Sequence, residues 1–160
     1  MEFTTKLETC KTIPDIFELV RSLCFEHFKK EQAGLMVGLA DLGAYPKGWI
    51  GAFYSLDANS IIVNKKPLKK IPKRLQKPYL FHLILHEYLH SIGFLDESET
   101  RKYTYEICRK YFGESHEVTG ISKGIEKYFP GLLQNGFEPP ETFDIEFMHG
   151  IDRKNTNYIM

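Results

Sequence analysis

Apolar residues along the chain recur with two different periods. Ile16, Phe17, Val20, Leu23, Cys24 and Phe28 lie three and four positions apart, the spacing that gathers side chains on one helix face, and predict a helix over about 14–31. Thr12 is placed to cap it, and Pro14 suits a first turn. Shorter runs follow. Leu35–Ala40 reads as a buried strand, Trp49–Tyr54 as a second, and Ile61–Asn64 as a β-branched third after an Asp57-Ala58-Asn59-Ser60 turn. The last two predict a hairpin.

Helical spacing then returns. One helix is predicted over about 77–93, ending at Gly93, and a second over about 97–112, with Tyr103, Ile107, Cys108 and Phe112 on its apolar side. Asp96 is a natural N-cap for that second helix, and Glu99 stands at its N3 position. A further helix is expected around 116–128, before Pro130-Gly131, and Phe143–Met148 alternates like a late strand. These elements predict one α+β domain over 1–160. Its small mixed β-sheet would be joined by an N-terminal helix, an active-site helix and additional C-terminal helices.

Composition narrows the function classes. The 160 residues are 42% hydrophobic and 26% charged, as in a globular chain, with 21 basic and 21 acidic residues and no net charge. No bulk field points to nucleic acid or to a membrane, and no run approaches the ~18 apolar residues of a membrane span. Cys10, Cys24 and Cys108 are widely spaced with no CxxC pair, which disfavours a thiolate zinc site and suits reduced cysteines in the cytoplasm. The first residues lack the apolar core of a signal peptide. The basic stretch 65–77 carries seven cations and no acid, and is expected as a connector or an anionic-partner contact.

The chemistry is concentrated in Leu83–Asp96. His86 and His90 are four apart, so on a helix they stack and can present imidazole nitrogens to one ion. Glu87 lies about 100° further round, beside such an ion, where it suits a general base acting on water. His82 extends the same stripe but lies ~12 Å from His90 along the axis, too far to share a zinc ion with it. His27, on the first helix, reads as a packed or surface residue.

His86-Glu87-Tyr88-Leu89-His90-Ser91-Ile92-Gly93-Phe94-Leu95-Asp96 resembles the H-E-x-x-H-x-x-G-x-x-H/D motif of the metzincin branch of zincin metallopeptidases. The resemblance implies Zn2+ held by His86, His90 and Asp96, with Glu87 as the base and Gly93 as the turn that brings the third ligand back. It also implies a methionine turn, for which Met148 and Met160 are the residues available. If Asp96 serves only as a cap, a gluzincin-like arrangement takes its third ligand from the next helix. Glu99 and Glu106 are then the choices, with His116 a further option. The implied activity is hydrolysis of a peptide or protein substrate, with His149 or Tyr158 available to stabilise the oxyanion. Two other readings stay open. One is a metal-dependent hydrolase of RNA using the basic 65–77 stretch, because the bacterial endoribonuclease family of ribosome maturation has a related H-x-x-x-H helix. The other is a non-catalytic or latent module whose cleft is occupied by the tail after Gly150.

Overall fold

A computed structural model describes residues 2–30, 32–44, 48–133 and 139–148. The fold is α+β, with six helices and a small mixed sheet among these residues. Helix α1 (Glu2–Thr9) buries Phe3 and Leu7, an i, i+4 pair too short to announce a helix by periodicity. Helix α2 (Ile13–Phe28) opens with a capping box, in which Thr12 Oγ1 accepts the Asp15 N–H and the Asp15 carboxylate accepts the Thr12 N–H. It ends at Lys29, whose φ of 60° is left-handed.

The strands are β1 (Met36–Ala40), β2 (Trp49–Ile50), β3 (Ala52–Ser55), β4 (Ser60–Asn64), β5 (Leu132–Leu133) and β6 (Glu146–Met148). Four of them form a sheet in the order β3-β4-β1-β6. β1 and β4 are parallel, and the two outer pairings are antiparallel. Strand β4 is buried throughout because it is central and covered on both faces. Ile61 and Val63 enter the main core, and Ile62 enters a second cluster with Ala40, Leu42 and Ile50, as alternation along a strand requires.

The expected strand over Trp49–Tyr54 is divided at Gly51. Its first half pairs in parallel with β5, and its second half is the hairpin partner of β4. Asn64 fixes this corner from inside. Its amide nitrogen donates to the carbonyls of Gly43 and Ile50, and its Oδ1 accepts the Leu42 N–H.

Helix α3 (Lys73–Ser91) is the centre of the molecule. It packs against α2, α4 (Glu97–Phe112), α5 (Glu117–Lys123), β3 and β4. Tyr79, Phe81, Ile84, Leu85 and Tyr88 point to different sides, and all are fully buried. Apolar residues therefore occur on several sides of it between Tyr79 and Leu89, which weakens its periodicity. It starts four residues before the expected position. Pro78 forfeits only one main-chain hydrogen bond near its beginning. The expected helix over 116–128 is two, α5 and α6 (Ile125–Tyr128), broken at Gly124. Among the described residues, no helix is long and apolar enough to cross a membrane.

Candidate metal centre and its cleft

Helix α3 carries His86 and His90 one turn apart, with ring centroids 4.9 Å from each other. Beyond Ser91 the chain must reverse to reach α4. Gly93 does this with φ 119°, a conformation that L side chains rarely adopt. A Cβ on Gly93 would meet nothing within 4 Å, so the requirement for glycine is conformational. The reversal brings the Phe94 carbonyl to 2.6 Å from His90 Nδ1. With Nδ1 donating there, Nε2 becomes the atom available for an ion.

Asp96 caps α4: its Oδ2 accepts the Glu99 N–H at 2.8 Å. Its exposed side chain is not one of the donors that converge with the histidines. That place is taken by the next residue. The Glu97 carboxylate lies 3.1 Å from His86 Nε2 and 2.7 Å from His90 Nε2. Donor atoms of His86, His90 and Glu97 all lie within 4.8 Å of one another, the only such group among the described residues. Two imidazoles and a carboxylate are zinc ligands, and about 3.3 Å separates neighbouring ligands around a tetrahedral zinc ion. The residues fit a divalent metal.

The other residues considered for the third position are elsewhere. Glu99 and Glu106 are exposed on α4 and outside this group. His116 caps α5, its Nδ1 accepting the Val118 N–H at 3.0 Å. Met148 is buried in β6, on the sheet edge opposite β3. Met160, His149, Tyr158 and the tail after Gly150 lie outside the described residues.

The three donors line a cleft of about 630 Å³ between α3, α4, α5 and β3. Glu87 lines it too. Burial pushes the Glu87 carboxyl up to about 7, although His86 and His90 pull it down and the Tyr54 N–H donates to it. Burial alone would also raise Glu97, but hydrogen bonds from both histidines outweigh it and hold that carboxyl well below the usual range. His90 is displaced the other way. Burial lowers its pKa, but the hydrogen bond to Glu97 and the charge of Glu87 raise it overall.

His82 enters the cleft wall from one turn earlier. Its Nδ1 lies 2.8 Å from Ser122 Oγ, which donates onward to Cys108 Sγ at 3.2 Å. Burial, with His86 beside it, lowers the His82 pKa to about 3, so the ring is neutral. His27 packs at the surface, its Nδ1 3.0 Å from the Tyr111 hydroxyl.

No residue of 65–77 lines this cleft. Arg74 pairs with Glu117, Lys66 with Asp41 at 4.0 Å, and Lys77 donates to the Glu8 carbonyl. Glu97, Arg101 and Ser122 line the cleft without standing out in the sequence. For Glu97 a signal existed: once Asp96 is assigned to the cap, Glu97 is the first carboxylate of the next helix. For Ser122 none did, since α5 meets α3 only in three dimensions.

No family model, curated protein or solved structure compared with the chain matches it.

Proposed function

We propose that the protein is a zinc-dependent metallopeptidase of the zincin type, with His86, His90 and Glu97 as metal ligands and Glu87 as general base. The observation that carries this reading is the convergence of those three donors in a cleft that Glu87 also lines. The donor set favours the gluzincin-like arrangement over the metzincin-like one, because the carboxylate comes from α4 and Asp96 is spent on its cap.

Zinc held by such residues supplies Lewis acidity, which polarises a carbonyl and acidifies water. Glu87 then takes a proton from the attacking water as its oxygen bonds to the carbonyl carbon. The same carboxyl passes the proton to the amide nitrogen as the C–N bond breaks. A pKa near 7 suits both halves of that transfer. Strand β3 adds support. It is the sheet edge beside α3, and its Ala52 and Phe53 line the cleft, where an extended peptide can run alongside it. Three buried cysteines, none in a disulfide, favour a reducing compartment such as the cytoplasm.

The test is elemental analysis of the purified protein together with cleavage of a peptide library. Zinc near one equivalent is expected. Glu87→Gln should keep the metal and lose about 10²–10⁴-fold in rate. A zinc-loaded protein that cuts no peptide or unfolded protein, with Glu87→Gln indistinguishable from it, overturns the reading.

A further inference from the structure

Next to the proposed metal ligands the cleft has a wall of three cations, of which only Arg101 pairs with a ligand, Glu97. Arg101 lies one turn after Glu97 on α4, so the two side chains share a face, with Arg101 Nε 4.0 Å from Glu97 Oε2. That Nε is buried and has no hydrogen-bond partner. Lys102, on the same helix, and Lys123, at the end of α5, complete the wall, and neither has an ion-pair partner among the described residues. Three acids share the lining: Glu97 lies against two histidines and Arg101, Glu87 is the proposed base, and Glu126 has an interaction of its own. The facing wall is uncharged, made by Gly51, Ala52 and Phe53 with Leu83 and Leu132.

From this arrangement we infer that the cleft selects peptides carrying a carboxylate close to the scissile bond, read by Arg101 with Lys102 and Lys123. This rests on the peptidase reading for its substrate class. A guanidinium presents a planar fork that matches a carboxylate, and the Arg101 side chain, 38% exposed, keeps part of its surface open to one. Arg101 stands beside Glu97, so the recognised carboxylate belongs to a residue flanking the bond. It comes either from an aspartate or glutamate side chain or from a free C-terminus.

The test uses zinc-reconstituted Glu87→Gln protein and fluorescent hexapeptides. One series carries glutamate, or glutamine in its place, at each position; a second has free or amidated C-termini. Anisotropy should show the carboxylate-bearing peptides binding at least about tenfold more tightly. A gain from glutamate identifies the side chain, and a gain from the free terminus identifies the C-terminal carboxylate. Arg101→Gln should bring the ratio close to one, and Lys102→Gln/Lys123→Gln, which alters only exposed residues, should lower it without touching Glu97. Equal binding of charged and neutral peptides overturns the inference, as does no binding at millimolar peptide or tighter binding of a 12-mer RNA than of any peptide. Cleavage by the wild type with equal kcat/KM for both peptide classes also overturns it while leaving the peptidase reading intact. Selective binding with no cleavage of any peptide supports the carboxylate preference and counts against the peptidase reading alone.

Discussion

His90 Nδ1 and the main-chain oxygen of Phe94 lie 2.6 Å apart, across the turn made by Gly93. The contact joins a backbone conformation to an imidazole orientation. The left-handed φ at Gly93 sets where the Phe94 carbonyl points, and that carbonyl fixes which His90 nitrogen faces Glu97. Thr100 Oγ1 donates to the same carbonyl at 3.1 Å, so α4 also holds it in place.

Gly93→Ala should therefore damage metal binding from a distance. The added Cβ has open space, so the cost is the backbone conformation, about 1–3 kcal/mol. Loss of the carbonyl that orients His90 should weaken zinc binding about 10–100-fold. Competition with a chromophoric chelator measures the affinity, and thermal melts measure the stability. An unchanged affinity would separate the turn from the metal site.

Asp96 and Glu97 are neighbours with different tasks, and substitution should separate them. Asp96→Ala removes the N-cap of α4 and should cost about 1 kcal/mol of stability while zinc is retained. Glu97→Gln should lose most of the zinc and keep the cap. Elemental analysis of both variants decides between them, and zinc loss confined to Asp96→Ala would reverse the assignment.

The neutral ring of His82 predicts an acid-sensitive fold. Its pKa falls from the ordinary 6.5 to about 3 in the folded protein, so the unfolded chain binds the extra proton between those values. Its contribution to stability is complete above about 6.5 and is lost as pH falls toward 3, at no more than about 1.4 kcal/mol per pH unit. Denaturant melts of the wild type and His82→Gln over that range should converge as the pH drops. Parallel curves would mean that His82 does not titrate in this way.

Cys24 and Cys108 are fully buried, and burial pushes both thiols up to about 12. With Cys10 also buried, the folded protein should react with little or no thiol reagent at pH 8, and denaturation should release three equivalents. Mass spectrometry after a timed alkylation pulse gives the count. Rapid labelling of the native protein would contradict this.

Much of the fold could be read from the chain because its periodic elements pack in the ordinary way. Helix α4 runs over the expected 97–112, and the apolar positions 16–28 form the buried face of α2. Interrupted elements were not legible. Gly51 and Gly124 each divide an expected element, because the residues on either side find different partners. At the site, the helical step from His86 to His90 is a local property and is visible in sequence. The third donor depends on the path of the chain through Gly93. A motif pattern favours Asp96 there, whereas capping geometry turns its side chain away and presents Glu97.

The parallel pairing of β2 with β5 also bears on the order in which the molecule is assembled. His86, His90 and Glu97 lie within one helix–turn–helix, so bringing them together closes only a short loop. The facing wall depends on Trp49 and Leu132, which pair across more than half the length of the chain. Contacts that distant form late, after the loop between them has been closed. A nascent chain thus brings its three donors together before the wall opposite them exists, and forming the donor cluster and enclosing it in a cleft become separate events in folding.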